Sequence, residues 1–84
     1  MVKFTLRGAV YDIGKDDVFK AVEGVEPEPF TRRSKYYVEM DGRRYPIKQV
    51  IGLVTGLPRV AFTAMDAYRI LTRLGFEVKV LEEE

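Results

Sequence analysis

The chain has 84 residues, of which 46% are hydrophobic and 32% charged, and its formal net charge is +1. These values exclude a disordered chain. No apolar run in the sequence approaches the roughly 20 residues that a membrane span needs. The sequence has no histidine, cysteine or tryptophan, and Ser34 is its sole serine. Because these groups carry most nucleophilic, proton-transfer and metal-binding chemistry, we expect a binding protein with no catalytic residue, no cofactor and no metal site.

The N-terminal third is predicted to hold one strand and one helix. The strand covers residues 2–11, with Gly8 at a bulge or bend. The helix covers residues 15–23, because its apolar residues share one side. Pro27 and Pro29 then make a stiff, extended connection that neither continues the helix nor starts another.

The clearest local signal in the sequence is a hairpin. Residues 36–40 alternate in the way that strands do, and a second strand-like run, 43–45, begins after Asp41 and Gly42. An Asp-Gly pair between two such runs is a strong signal for a two-residue turn. Pro46 ends the second strand and suits the first turn of a helix.

The C-terminal half is predicted to contain two helices and a strand. Apolar residues spaced i, i+3, i+4, i+7 predict helices over 47–55 and 64–74. Thr63 is a good N-cap for the second helix, with Asp66 placed as in a capping box. Alternating residues over 76–80 predict a last strand.

These elements follow the order β-α-β-β-α-α-β and predict an α+β fold, a small, mostly antiparallel sheet with three helices on one face. We expect a single domain over residues 1–84, with 79–84 as a partly solvated C-terminal tail. The sequence has no asparagine and one glutamine, Gln49, which indicates a thermophile. The N-terminus lacks a signal-peptide pattern, so the cytoplasm is the expected location.

Positive charge is concentrated in the middle of the chain. Residues 31–48 carry six basic and two acidic side chains, a net +4, against −2 for residues 1–30 and −1 for residues 49–84. Since a hairpin folds its two arms together, these cations are predicted to share one surface that neutralises nucleic-acid phosphates. The predicted phosphate-binding residues are Arg32, Arg33, Lys35, Arg43, Arg44 and Lys48. An equally simple interpretation is a charged edge strand that resists aggregation.

Four further residues complete the predicted nucleic-acid site. Tyr36 and Tyr45 are expected to stack on bases or to hydrogen-bond phosphates. Arg69 and Arg73 lie on the outer side of the second helix of a pair that loosely resembles a helix-turn-helix, although the pattern favours two core-packing helices with charged outer faces.

Two other features suggest anion or metal binding. Lys48 and Gln49 fall in the first turn of the helix after Pro46, where unpaired N–H groups favour an anion. Glu39 and Asp41 weakly suggest a magnesium site, but the hairpin turn already accounts for Asp41.

Part of the sequence resembles a known family. The resemblance rests on Tyr37-Val38-x-x-x-Gly42-Arg43-Arg44-Tyr45-Pro46-x-Lys48-Gln49-Val50-Ile51, on Phe62-Thr63, and on Ala67-x-x-x-Leu71-x-x-Leu74-Gly75-Phe76-Glu77-Val78. These runs are similar to a small domain that lies N-terminal to the nuclease part of McrA-like HNH restriction endonucleases, which cut modified DNA. The nuclease motif itself is missing, because it needs histidines and asparagine. The resemblance therefore implies a stand-alone accessory module for DNA recognition, as part of restriction-modification, and no catalytic residue.

We therefore expect a small, non-catalytic nucleic-acid-binding module that uses its basic hairpin face and binds DNA rather than RNA. A nuclease or methyltransferase is a further expected partner, a membrane is not, and the chain is expected to be a monomer or weak homodimer. The alternative is a protein-interaction module that docks on a nuclease or dimerises through the hairpin edge.

Overall fold

The computed structural model describes residues 2–30 and 35–81, and it confirms an α+β fold. Its strands are β1 (Val2–Leu6), β2 (Ala9–Ile13), β3 (Tyr36–Met40), β4 (Arg43–Pro46) and β5 (Lys79–Val80). Its helices are α1 (Lys15–Val22), α2 (Ile47–Thr55) and α3 (Ala64–Arg73), with a short 3₁₀ turn at Arg59–Ala61 before α3. No helix in these ranges has the length and hydropathy that crossing a lipid bilayer requires.

The prediction of one strand over residues 2–11 was wrong, because this region is a hairpin of β1 and β2. Its two-residue turn is Arg7-Gly8, and both residues have positive φ, 54° and 80°. Glycine adopts this conformation freely, whereas arginine does so only at an energetic cost, so the pair is a weaker turn signal than Asp-Gly. Ala9, Val10 and Tyr11 follow the turn as three consecutive apolar residues. Alternation in the sequence therefore does not show that the core-facing positions change from even numbers in β1 to odd numbers in β2.

The predicted hairpin of β3 and β4 is confirmed. Asp41 and Gly42 form its turn, with φ of 53° and 75°, as a type I′ turn requires. Strand β5 pairs with the other side of β3, which gives the order β4-β3-β5. In the part of the chain that is described, the strands thus form two separate antiparallel sheets rather than the one sheet expected.

Helix α2 packs against α1, α3 and the β3–β4 hairpin, and it forms the centre of the core. Its residues Val50 and Ile51 have no solvent exposure. The predicted apolar face of α3 is also confirmed, since its members Ala67, Ile70, Leu71 and Leu74 are all buried. The two hairpins and three helices therefore share one apolar core, and the helices cover the inner face of the three-stranded sheet.

The last strand is shorter than predicted. Phe76 does not continue it, because its ring packs against Phe19 (centroids 5.7 Å apart) and beneath the Lys15 ammonium (5.3 Å). The described part of the predicted tail is attached to the sheet. Lys79 pairs with Tyr37 in β3, and the Leu81 amide donates to the Lys35 carbonyl at 2.6 Å.

The extended connection after α1 is held by buried polar groups. Gln49 is 4% exposed; its side-chain amide donates to the Glu26 carbonyl and accepts from the Glu28 N–H, both at 2.9 Å. The Tyr45 hydroxyl donates to the Val25 carbonyl at 2.8 Å. Gln49 is therefore occupied by the fold and does not contribute to the anion site predicted at the start of α2.

Replacing Gln49 by Met keeps the side-chain length but removes both hydrogen bonds to the connection. At about 1 kcal/mol for each bond, we expect the free energy of unfolding to fall by about 2 kcal/mol. Urea denaturation measures this loss, and hydrogen exchange should show the Glu28 amide exchanging faster. The Gly56 amide, which donates to the Gly52 carbonyl at the end of α2, is the internal reference. Unchanged exchange at Glu28 would contradict the assignment.

Thr63 caps α3 as predicted, since its hydroxyl accepts from the Asp66 N–H at 3.2 Å while the Asp66 carboxylate accepts from the Thr63 N–H. Thr63→Ala should lower the free energy of unfolding by about 1 kcal/mol. Thr72→Ala, at an exposed position in the same helix, is the matched control and should change it by less than about 0.5 kcal/mol. Equal losses in the two variants would show that the cap has no special role.

Candidate nucleic-acid interface

Arg43 and Arg44 point to opposite faces of the sheet, because successive side chains of a strand alternate. Arg43 is opposite Met40, whose side chain is in the core. Its Nη1 lies 4.0 Å from Glu26 Oε1 and 3.5 Å from the Val25 carbonyl oxygen. Arg44 is opposite the exposed Glu39, on the face turned away from the helices. The hairpin therefore does not gather the two arginines on one surface.

We call this second face the outer face and define it by Tyr37, Glu39, Arg44 and Lys79. The Arg44 guanidinium carbon lies 5.2 Å from the centroid of the Tyr37 ring, a distance at which a cation is attracted to an aromatic face. Lys79 Nζ lies 3.5 Å from Glu39 Oε1 and 3.9 Å from Glu77 Oε1. Within residues 2–30 and 35–81, Arg44 has no carboxylate oxygen within 4.0 Å.

A groove of about 510 Å³ opens on the outer face, and we call it the outer groove. It is lined by Tyr37, Arg44, Lys79, Val80 and Leu81. Two cationic side chains from different strands thus line one depression. The pairing of β5 with β3 creates this arrangement, because Lys79 is directly opposite Tyr37.

The Tyr37 ring has little surface left for a ligand. It is 7% exposed, with Arg44 above it and the Phe30 ring approaching edge-on at a centroid distance of 6.0 Å. A nucleic-acid base therefore finds no open aromatic face here. The chemistry that the outer groove offers is the attraction of its cations for an anion.

The two tyrosines predicted to contact nucleic acid lie on the inner side of the sheet. Tyr45 is 3% exposed, and its hydroxyl already donates to the Val25 carbonyl. The Tyr36 ring is half-buried and meets the Tyr68 ring edge-on, with centroids 5.5 Å apart. Both residues pack the core, so neither is available on the outer face.

The remaining predicted cations are spread over several places. Lys35 is exposed at the start of β3, next to Leu81 at one end of the outer groove. Lys48 lies on α2, with its ammonium 5.5 Å from the centroid of the Phe62 ring. Arg32 and Arg33 lie outside the described residues.

Arg69 and Arg73 line a different groove, between α3 and β1, which shares no lining residue with the outer groove. The predicted convergence of the hairpin cations on one surface is not what the described residues show. They form two separate basic grooves instead, each with two cationic side chains.

Sequence reasoning missed Lys79 as a member of the site. Its alternation with Val78 and Val80 does place it on the other face of a strand. What the sequence could not supply was the partner of that strand, because Tyr37 and Lys79 are far apart along the chain.

Comparison with known proteins gives one family. No curated protein and no solved structure matches the chain. The sequence profile of the SCO5918-like family matches residues 6–84, which covers the chain from the last residue of β1 onward, including all three helices and the outer groove. The chain therefore belongs to the SCO5918-like family.

Proposed function

We propose that this protein is a small, non-catalytic module that binds the phosphate backbone of nucleic acid, DNA rather than RNA, in the outer groove. The proposal rests on one observation: the cationic side chains of Arg44 and Lys79 line the same groove, which has a volume of about 510 Å³. Arg44 has no described carboxylate at ion-pair distance, so its guanidinium is available for the two-pronged hydrogen bonding that phosphates favour.

The surroundings of the groove support binding to an extended polyanion. Lys35 adds an exposed cation at its end, and Arg32 and Arg33 come shortly before it in the sequence. We expect these arginine and lysine side chains to contact phosphates rather than base edges. We therefore propose modest affinity with a steep dependence on salt and little preference for sequence.

The choice of DNA rests on the resemblance to the accessory domain of McrA-like endonucleases. We propose on that ground that the module acts in restriction-modification in the cytoplasm, beside a nuclease or methyltransferase. This role requires only recognition from this chain, which suits a sequence without histidine or cysteine.

Dimerisation through the hairpin edge is less well supported. In a hairpin with a two-residue turn, Met40 and Arg43 form the first hydrogen-bonded pair, so the N–H positions of Arg44 and Pro46 face outward. Pro46 has no N–H to offer. An edge that carries an arginine and a proline resists pairing with another strand.

The neighbouring arginines of β4 give a matched test of the proposal. Arg44→Ala and Arg43→Ala remove the same charge, so they change the long-range field of the protein equally. We expect Arg44→Ala to weaken binding to a labelled DNA duplex about fivefold and to lower the slope of log K against log salt by about 0.9 for each lost phosphate contact. Fluorescence anisotropy at two or more salt concentrations measures both quantities.

Arg43→Ala should leave binding within about twofold of wild type, since Arg43 lies on the inner face near Glu26. Lys79→Ala should weaken binding less than Arg44→Ala does, because the Lys79 ammonium already lies within 4.0 Å of the Glu39 and Glu77 carboxylates. Equal losses for Arg43→Ala and Arg44→Ala would assign binding to net charge rather than to the outer groove and would overturn the proposal. Urea denaturation of each variant confirms that the fold is intact.

A further inference from the structure

We propose that the groove between β1 and α3 binds an extended, acidic peptide segment of a partner protein, which adds as a strand to the free edge of β1. We call it the β1–α3 groove. It has a volume of about 220 Å³. One wall is formed by Phe4, Thr5 and Leu6, and the other by residues of α3 that include Arg69 and Arg73.

The β1 wall of the groove is a strand edge. Side chains of three consecutive strand residues alternate between two faces, so all three line one groove only where the edge of the strand is open. Strand β1 pairs with β2 alone in the described part of the chain. The Arg7-Gly8 turn makes Leu6 and Ala9 a hydrogen-bonded pair, which leaves Thr5 and Val10 as the next, non-bonded pair.

The backbone groups of Thr5 therefore point away from β2 and toward the groove. Within the described ranges, no backbone group outside β2 bonds to the Thr5 N–H or carbonyl. An open edge of this kind is the template on which extended peptides add as strands. Unlike the edge of β4, the edge of β1 carries no proline.

The helical wall selects the charge of the peptide. Arg69 and Arg73 are exposed and one turn apart, and like charges at this spacing repel. Neither has a carboxylate within 4.0 Å among the described residues. Asp66 also lines the groove, but its carboxylate is engaged by the Thr63 N–H in the cap of α3. Acidic side chains on the added strand would neutralise both guanidinium groups.

The strand geometry also sets the pattern of the peptide. Phe4, Leu6 and Ile70 contribute the buried, apolar base of the groove. Because side chains of an added strand alternate, one set faces the arginines and the other does not. A segment in which acidic residues occupy every second position satisfies this arrangement. Since this groove shares no residue with the outer groove, the inference adds a second function to the one proposed above.

Two proline variants test whether the backbone of β1 forms the contact. The probe is a fluorescein-labelled synthetic peptide in which threonine and glutamate alternate, and binding is followed by fluorescence anisotropy. Thr5→Pro removes the N–H that faces the groove, whereas Val10→Pro removes the equivalent N–H on the opposite edge of the hairpin. We expect Thr5→Pro to weaken binding about tenfold or more and Val10→Pro to leave it within about twofold.

Two alanine variants test the charge, and they stay informative if proline disturbs the fold. Arg69→Ala and Arg73→Ala should each weaken binding of the peptide about fivefold. Lys20→Ala, which removes the same charge from an exposed position on α1, is the control and should have little effect. A peptide with lysine in place of glutamate should not bind.

Two results would overturn the proposal. One is equal binding of an N-methylated form of the peptide, which cannot donate backbone hydrogen bonds to the Thr5 carbonyl. The other is the absence of peptide binding together with a loss of DNA affinity in Arg69→Ala and Arg73→Ala, which would assign these arginines to nucleic acid. Failure of the Arg44→Ala test leaves this inference intact, because the two experiments use different ligands and different residues.

Discussion

The burial of α2 between α1, α3 and the β3–β4 hairpin is the constraint on which the rest of the structure depends. It decides which side of the three-stranded sheet faces the core, since Val38, Met40 and Tyr45 must lie against the helix. Because side chains alternate along a strand, the neighbours of these buried residues must point to the opposite face of the sheet. Arg44 faces solvent on the outer face because Tyr45 is in the core, and the location of the outer groove follows from apolar packing rather than from charge.

The same packing explains why several polar residues near the hairpin are structural. The connection after α1 crosses the start of α2, where its backbone groups need partners. Gln49 and Tyr45 supply them. Two acidic residues of the connection are paired as well, Glu26 with Arg43 and Glu28 with Arg59. These pairs are exposed and contribute little to stability, but the first of them engages Arg43, a cation that a count along the sequence assigns to a binding surface.

Sequence patterns predicted the features that depend on near neighbours. Helices α2 and α3, the cap at Thr63 and the Asp41-Gly42 turn all have signals within a few residues, and all are confirmed. The Arg7-Gly8 turn was missed because arginine is uncommon at a position with positive φ and because the apolar residues after the turn are consecutive rather than alternating. The division into two sheets and the pairing of β5 with β3 depend on contacts distant in sequence. The candidate site was predicted less accurately than the fold, because the distribution of charge along the sequence does not show which face of the structure each cation occupies.

The short strand β5 links the outer groove to the completion of folding. Tyr36 and Val80 are paired across roughly 40 residues of intervening chain. Bringing these two residues together costs the chain conformational entropy before their strand hydrogen bonds can form. We infer that β5 docks only after α2 and α3 have formed. A two-residue strand at a sheet edge is also among the first elements to open by local fluctuation. The outer groove, which Lys79, Val80 and Leu81 help to line, therefore forms only when β5 is paired with β3. An anion bound in this groove would stabilise the pairing of β5 with β3.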